Sequence, residues 1–275
     1  MKQSIQTTYT WAVTTSANYY GEQAAEAREL AQQWQVPFLS REEGNLLELK
    51  QALGVDYLLI LDRNRRLSVG EPLFLHWHPS MAVPRLRQLA RGEIDTFLSA
   101  ATLDPGDSFL DCTLGFGADA LLASYAVGDT GTIHGLEASP LIALLTAYGL
   151  RGEAQKYESA GKPMTAISSR IKVTCCEAGD YLRQQPEGSW DVVYFDPMFR
   201  SWKDLQTDMN HIRSLSWNET VHQGLLDEAY RVCRKRVVIK ERQYSPLFSR
   251  LGAHKTLRTN YGPVAFGIWE KSSNG

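Results

Sequence analysis

The chain has 275 residues, of which 43% are hydrophobic, and this is enough for one large domain or for one large and one small domain. Its formal net charge of -2 does not by itself indicate a nucleic acid or another polyanion as a partner. The first eight residues lack the apolar core of a signal peptide, and no apolar run approaches the roughly 18 residues that would span a bilayer. The sequence therefore predicts a soluble cytoplasmic protein.

Residues 1–75 are predicted to form a small α/β domain, because short apolar runs alternate with helical patterns. Alanine and leucine recur on one helical face in two segments, and Gly54 is placed to end the second of them. The predicted elements are a strand at 10–15, a helix at 21–34, a short strand at 37–39, a helix at 42–53, a strand at 57–61 and one or two strands within 66–77.

Residues 76–275 are predicted to form the larger domain, which opens with two connecting helices, 79–92 and 95–101. After them come strands at 108–113, 132–137, 171–176, 191–195 and 236–242, helices at 119–127, 140–150 and 221–232, and a polar insertion at 151–170. Such repeated strand–helix units form a parallel sheet with helices on both faces. A terminal hairpin within 255–270 adds one antiparallel strand, so the predicted fold class is α/β with a Rossmann-like, mostly parallel sheet.

Acidic side chains accompany the ends of several predicted strands of this domain. Asp111 lies in its first strand, and Glu137, Glu177 and Asp196 fall at or just after the ends of later strands. Because ligands in such folds bind at the carboxyl ends of the strands, these four groups are expected to converge on one edge of the sheet.

The segment Asp-Cys-Thr-Leu-Gly-Phe-Gly-Ala-Asp at 111–119 is a candidate cofactor loop. Gly115 and Gly117 let the chain turn tightly and let a ligand approach the backbone, although a tight turn without a ligand would need them as well. Ala120 does not exclude a dinucleotide, but Asp119, at the start of a helix, is expected to repel a pyrophosphate. S-adenosylmethionine carries an ammonium group and no phosphate, so it suits this acidic loop better.

Two further acids suit the nucleoside part of such a cofactor. Glu137 lies 22 residues beyond Gly115, where a carboxylate can bind ribose hydroxyls, or it can simply favour the start of the next helix. Glu177, with Asp180 as its alternative, is placed to accept a hydrogen bond from an adenine amino group.

Asp-Pro-Met-Phe at 196–199 closes an apolar strand and indicates the chemistry. The carboxylate of Asp196 and the carbonyl of Pro197 form a rigid pair of acceptors, and Phe199 offers an aromatic wall unless it simply packs in the core. Acceptors on both hydrogens of an exocyclic amine favour a pyramidal nitrogen with an available lone pair. Together with the cofactor loop, this motif predicts methyl transfer to such an amine.

These motifs resemble those of the bacterial small-subunit (16S) ribosomal RNA guanine-N2-methyltransferase family over about residues 76–270. Residues 237–246 are also similar to the Lys-Arg-Pro-x-Tyr-x-Pro segment of that family. The resemblance implies a class I methyltransferase fold, S-adenosylmethionine as cofactor and small-subunit ribosomal RNA as substrate. With the loop itself, it gives these candidate cofactor-binding residues: Asp111, Thr113, Gly115, Gly117, Ala118, Asp119, Glu137, Ala138, Glu177 and Asp196.

The chain departs from the pattern of that family at a few positions. Arg200 stands where the family has a proline, Ala118 where it usually has an arginine, and Glu177-Ala178 where it has a Ser-Ser pair. The first 75 residues match poorly.

Substrate contacts are expected from basic and aromatic residues. Arg200 and Trp202 are candidates for gripping RNA and for stacking on a base. Lys240 either neutralises a phosphate or pairs with Asp196, and a target in a duplex would have to be flipped out of the stack. His78, at the entry to the first connecting helix, is expected to cap the cofactor pocket.

No metal is expected, because no Cys-x-x-Cys pair occurs and the pair of His76 and His78 lacks a nearby third ligand. Other functions stay open: a methyltransferase acting on DNA, tRNA or protein, a nicotinamide-dependent oxidoreductase, or a non-catalytic RNA-binding module that has no need of Asp196. The sequence predicts no particular oligomeric state.

Overall fold

The computed structural model describes residues 10–16, 21–43, 45–70, 75–79, 81–159, 162–197, 221–259 and 262–272. The chain divides into two compact units, Met1–Trp77 and His78–Gly275. Among the residues in these ranges, no helix combines the length and the apolar character that crossing a membrane requires.

The first unit contains a five-stranded sheet with the order β2-β1-β3-β4-β5. Strand β1 runs parallel to β2 and β3, while β4 and β5 continue the sheet in antiparallel pairs. Its strands are β1 (Trp11–Thr15), β2 (Phe38–Leu39), β3 (Tyr57–Leu61), β4 (Leu67–Val69) and β5 (Leu75–His76), and its helices are α1 (Glu22–Gln33) and α2 (Leu46–Leu53).

Local sequence explains where these two helices begin and end. Helix α1 buries Ala24, Ala27 and Ala31, which share one face. Helix α2 starts later than predicted, because the side chain of Asn45 accepts a hydrogen bond from the Glu48 backbone N–H at 3.0 Å and the Glu48 carboxylate accepts one from the Asn45 N–H. Gly54, with a φ of 61°, ends α2 in the left-handed conformation that glycine favours.

The second unit is built on a seven-stranded sheet with the order β10-β7-β6-β11-β12-β14-β13. Strand β14 is antiparallel to both of its neighbours, and the other neighbouring pairs are parallel. The strands are β6 (Ser108–Asp111), β7 (Thr132–Glu137), β10 (Ile171–Cys175), β11 (Trp190–Phe195), β12 (Cys233–Arg242), β13 (Lys255–Arg258) and β14 (Val264–Glu270). The predicted α/β class with a mostly parallel sheet and a terminal hairpin is confirmed.

Helices and short elements connect these strands. The helices are α3 (Ala82–Ala90), α4 (Thr96–Ala101), α5 (Ala118–Val127), α6 (Pro140–Arg151), α7 (Thr165–Ser168), α8 (Ala178–Gln184), α9 (Gln223–Val232) and α10 (Leu247–Arg250). The predicted polar insertion holds a 3₁₀ turn at Glu153–Lys156, the hairpin strands β8 (Glu158–Ser159) and β9 (Lys162–Pro163), and α7. Helices α8 and α10 were not predicted, because each is short and α8 is largely polar.

The core of this unit lies around the middle of the sheet. The last four residues of β11 are buried, and Tyr194 packs edge-on against Phe97 with ring centroids 4.8 Å apart. Eight residues of α6 are buried, as expected for a helix that is apolar nearly all round. The buried strands thus form a rigid base for the residues at their carboxyl ends.

Candidate active site

The acidic residues predicted at the strand ends lie where the sequence placed them. Asp111 is the last residue of β6 and Glu137 the last of β7. Asp196 directly follows β11, and Glu177 precedes the first residue of α8. Because β6, β7, β10 and β11 are parallel neighbours, these residues share the carboxyl edge of the sheet.

Backbone hydrogen bonds hold the predicted cofactor loop in a tight turn. Leu114 N–H donates to the carbonyl of Leu136 at 2.8 Å, and Gly117 N–H donates to the carbonyl of Leu114 at 2.8 Å. A Cβ at Gly135 would lie 2.4 Å from a Leu114 methyl carbon, so glycine there lets the loop lie close to β7. At Gly115, with a φ of 52°, a Cβ would meet nothing within 4 Å, so this part of the loop backbone is open to a ligand.

Glu137 supports this loop from β7. Its Oε2 accepts a hydrogen bond from Gly115 N–H at 2.9 Å, and its Oε1 accepts one from Ser139 N–H at 2.9 Å. Thr146 holds the same glycine from the other side, because its hydroxyl donates to the Gly115 carbonyl at 2.7 Å. Burial raises the pKa of Glu137, and these backbone bonds oppose that rise.

Thr113 joins the loop to Asp196. The backbone N–H of Asp196 donates to the Thr113 hydroxyl oxygen at 2.6 Å, and Thr113 N–H donates to the Asp111 carboxylate at 3.0 Å. Burial raises the pKa of Asp111 well above its ordinary value, and the charges of Asp119, Asp196 and Glu137 add to the rise. The loop and the Asp-Pro motif therefore form one hydrogen-bonded structure.

Asp196 also belongs to an ion cluster of five charged residues. They are Arg85, Asp95, Asp119, Asp196 and Lys240. Lys240 Nζ is 2.6 Å from Asp196 Oδ2 and 3.3 Å from Asp119 Oδ2. Arg85 reaches Asp119 Oδ1 at 2.6 Å with one nitrogen and holds both carboxylate oxygens of Asp95 at 2.8 and 3.0 Å with two others. Asp95 in turn caps α4 by accepting from Leu98 N–H at 3.1 Å.

The acids of this cluster differ in their proton affinity. Burial raises the pKa of Asp196 to about 6, because burial, to which the charge of Asp119 adds, outweighs the opposing charge of Lys240. Burial also acts to raise the pKa of Asp119, but Lys240, Arg85 and the Tyr194 hydroxyl lower it below its ordinary value. The carboxylates in turn raise the pKa of Lys240 despite its burial.

Two expectations are corrected by this geometry. Asp119 does not present an uncompensated charge to the loop, since Arg85 and Lys240 balance it, so it does not by itself exclude a pyrophosphate. Lys240 pairs with Asp196, as one of the two alternatives predicted, and its charge is already neutralised by two carboxylates. It is therefore poorly suited to the other predicted role, which was to neutralise a phosphate of the substrate.

Glu177 and Asp180 both line one cavity of about 210 Å³ at the starts of α8 and α9. His222 and Arg183 line it as well, and Arg183 is paired with Asp180. Since both acids reach the same space, the geometry keeps both as candidates for the adenine amino group.

His78 lies against the cofactor loop. Its ring meets the ring of Phe116 edge-on, with centroids 5.8 Å apart, which is a position consistent with the predicted capping of the pocket. Within the described residues, no group of three or more His, Cys, Asp or Glu side chains could hold a metal ion.

Of the remaining predicted site residues, three lie within the described residues and three lie outside them. Pro197 is half-buried directly after Asp196, and Ala118 and Ala138 are half-buried at the starts of the segments that follow β6 and β7. Phe199, Arg200 and Trp202 lie outside the described residues.

Sequence reasoning missed Arg85, Asp95 and Tyr194. Arg85 stands close to Arg87 and Arg91 in the sequence, a pattern typical of a solvated basic face, yet its side chain is only 23% exposed. Asp95 carried one usable signal, because an aspartate just before a helix is a typical N-cap. No local pattern could have shown that the Tyr194 hydroxyl donates to Asp119 at 2.7 Å.

Known proteins show the same sequence family and fold. Residues 29–261 match the family model SAM_MT, "Putative SAM-dependent methyltransferase", in which SAM is S-adenosylmethionine. The chain is 33% identical to "Uncharacterized protein YpiP" of Bacillus subtilis (strain 168) over 92% of this chain and 98% of that protein. It is 29% identical to "Ribosomal RNA small subunit methyltransferase J" of Shewanella amazonensis over 71% of this chain and 77% of that protein.

A solved structure agrees on the fold. The SAM-dependent methyltransferase NGO1261 from Neisseria gonorrhoeae superposes with a TM-score of 0.58 and 16% identity, over 96% of this chain and 97% of that one. The family model and the ribosomal RNA small-subunit methyltransferases among the relatives confirm the resemblance stated from the motifs, and the cofactor is S-adenosylmethionine. The chain belongs to the family of SAM-dependent methyltransferases.

Proposed function

We propose that this methyltransferase acts on the exocyclic N2 amine of a guanine in small-subunit ribosomal RNA. The observation that carries the proposal is the fixed position of Asp196, which Lys240 holds at 2.6 Å and Thr113 anchors through its backbone. The relatives named ribosomal RNA small subunit methyltransferase J support the choice of RNA.

The residues at the carboxyl edge fit S-adenosylmethionine. The open backbone at Gly115 would receive the methionine part of the cofactor. Asp111 and Thr113 lie at the start of the same loop. Glu137, at the end of β7, would bind the ribose hydroxyls, and the cavity lined by Glu177 and Asp180 would take the adenine. All of these residues belong to the larger unit, to which we assign methyl transfer.

The proposed reaction is a direct transfer between two atoms. The cofactor supplies a methyl group activated by its positive sulfur. The site would bring the N2 nitrogen in line with this methyl carbon, and the transfer would leave the electron pair of the carbon–sulfur bond on sulfur and release one proton from the nitrogen. Reacting atoms have to come within about 3–3.5 Å in line for this step.

Asp196 and Pro197 would prepare the amine. The carboxylate and the proline carbonyl accept the two N–H groups, so that the nitrogen lone pair points away from the ring and toward the methyl carbon. A carboxylate whose pKa is near 6 is ionised at neutral pH and can take up the departing proton or pass it to water.

Lys240 and Thr113 act on the reaction through Asp196. Lys240 fixes one carboxylate oxygen, while Thr113 fixes the backbone N–H of the same residue. Both are positioning residues in this proposal. Phe199, Arg200 and Trp202 keep their predicted roles in stacking on the flipped base and gripping the RNA.

The proposal is tested by methyl transfer from labelled S-adenosylmethionine to small ribosomal subunits and to naked ribosomal RNA, followed by nucleoside analysis. We expect label in N2-methylguanosine. Asp196→Ala should reduce turnover by at least about a hundredfold while circular dichroism still shows a folded protein, since the positioned acceptor for the amine is lost.

Asp129→Ala is the control, because its carboxylate is 97% exposed and pairs with Arg170 away from the loop. It should keep wild-type turnover. If label appears in DNA, tRNA or protein instead of ribosomal RNA, the acceptor named in this proposal is wrong. If Asp196→Ala keeps full turnover, that residue has no catalytic role.

A further inference from the structure

Tyr244 occupies an unusual position in the turn that follows β12. The Ser245 N–H donates to the carbonyl of Arg242 at 3.1 Å, which makes Tyr244 the third residue of a β-turn. Its φ is 67°, whereas Gln243 before it does not have a positive φ. A turn of this kind places glycine or asparagine third, so tyrosine there is strained.

Packing does not account for this tyrosine. Tyr244 is 79% exposed, and its ring is covered by the guanidinium of Arg258, whose central carbon is 4.9 Å from the ring centroid. A strained aromatic residue in solvent contributes little to folding. Strain held at the surface points instead to a role in binding.

The turn is held firmly from the neighbouring hairpin. Gln243 N–H donates to the carbonyl of Pro263 at 2.7 Å, and the Gln243 side-chain amide donates to the carbonyls of Gly262 and Thr259 at 2.7 and 3.1 Å. The ring is therefore presented by a fixed backbone, which lowers the entropy that a ligand would lose on binding to it.

The ring lies at the same edge of the sheet as Asp196. Tyr244 follows Lys240 by four residues, so their Cα atoms are no more than about 14 Å apart. One arginine is placed against this ring, because Arg258 of β13 lies over it. An aromatic ring with a guanidinium group beside it is a typical surface on which unpaired nucleobases stack.

We propose that Tyr244 and Arg258 form a stacking platform for an unpaired RNA base next to the target nucleotide. The platform rests on the proposed function, because it assigns a neighbouring nucleotide of the same RNA to this surface. Arg258 supports one face of the ring, and the base stacks on the exposed part of Tyr244.

The test compares Tyr244→Asn, Tyr244→Phe and Arg258→Met in methyl transfer to ribosomal RNA and in anisotropy binding of a labelled single-stranded RNA. Asparagine tolerates a positive φ, so Tyr244→Asn removes the ring without adding strain and should keep the thermal midpoint. It should raise the KM and the Kd for RNA about tenfold or more, with the Kd for S-adenosylmethionine unchanged.

Tyr244→Phe keeps the ring and should keep wild-type affinity for RNA. Arg258→Met should weaken RNA binding less than Tyr244→Asn, since the ring remains. If Tyr244→Asn binds and methylates RNA like the wild type, the platform is wrong even where the proposed function holds.

If the wild type methylates no ribosomal RNA, the proposed function fails and the binding experiment decides alone. Weaker RNA binding by Tyr244→Asn, with none lost in Tyr244→Phe, would still support the platform. The platform would be overturned if all variants bound RNA equally, if no RNA bound at all, or if the variants raised the KM for a protein acceptor.

Discussion

The two edges of the seven-stranded sheet use similar residues in different ways. At the amino edge, Arg234 binds both oxygens of Asp191 at 2.8 and 2.7 Å, and Lys235 lies 2.8 Å from both oxygens of Asp107. At the carboxyl edge, Lys240 is shared between Asp119 and Asp196.

The consequence is a difference in proton affinity. The hydrogen bonds from Arg234 lower the pKa of Asp191 below its ordinary value. At the carboxyl edge, burial raises the pKa of both Asp111 and Asp196. The acids at the amino edge are thus paired with cations, whereas the buried acids at the carboxyl edge outnumber their cationic partners, which is typical of a site for chemistry.

Removing the lysine of the carboxyl edge should have the largest effect. Lys240→Met leaves Asp196 without its cation, so we expect turnover to fall about a hundredfold and the apparent pKa of Asp196 to rise. The free energy of unfolding should fall by about 3 kcal/mol, because a largely buried pair is broken. Turnover with pH and urea denaturation measure these effects, and an unchanged pH profile would contradict the pairing.

The pH dependence of turnover should show the raised pKa directly. Asp196 is ionised above about pH 6 and protonated below it, so kcat should fall about tenfold per pH unit below that value. The amino edge should not contribute, since the pKa of Asp191 is lowered and its carboxylate stays ionised over the same range.

Circular dichroism should show a folded protein through this pH range. Asp196→Asn should abolish the acidic limb of whatever turnover remains. A limb that persists in this variant would assign the titration to another group.

The cofactor loop should be more sensitive to an added methyl group than an equally strained glycine elsewhere. Gly115→Ala forces alanine into a φ of 52° and projects Cβ into the open space of the loop. We expect the Kd for S-adenosylmethionine to rise about tenfold by calorimetry, because the added Cβ occupies space that the bound cofactor needs, at a cost of about 1.4 kcal/mol.

Gly128→Ala is its matched control, because Gly128 also has a positive φ with nothing within 4 Å of a Cβ, and it follows α5 at the amino edge. It should lose similar stability and keep the wild-type Kd. Equal loss of affinity in both variants would show that the loop does not receive the cofactor.

Removing a lysine of the amino edge should have the smallest effect. Lys235 is 35% exposed and pairs with the exposed Asp104 and with the buried Asp107, so Lys235→Met should lower the free energy of unfolding by about 1–2 kcal/mol. Its kcat and its pH profile should equal those of the wild type. A loss of turnover comparable to that of Lys240→Met would erase the distinction between the two edges.

Much of the larger unit could be predicted because its signals are local. The strand at Thr132–Glu137 has the predicted bounds, since turn residues before and after it fix both ends. The glycine loop and the Asp-Pro motif were placed correctly on the sheet edge for the same reason. Their spacing along alternating strands and helices is enough to bring them together.

The ion cluster could not be predicted because it joins distant parts of the chain. Arg85 meets Asp119 across 34 residues, and Lys240 meets Asp119 across 121. The basic run at 234–236 shows the same limit. It reads as one patch, yet its residues pair with separate partners: Arg234 with Asp191, Lys235 with Asp107 and Arg236 with Glu270.

The antiparallel position of β14 makes the cluster depend on a late part of the chain. Strand β12 carries Lys240, which is paired with Phe266 of β14. Until residues 264–270 have been synthesised and have docked, β12 has a bare hydrogen-bonding edge that can recruit a strand from another molecule. Newly made copies are therefore most prone to aggregate in the interval before that final strand is added.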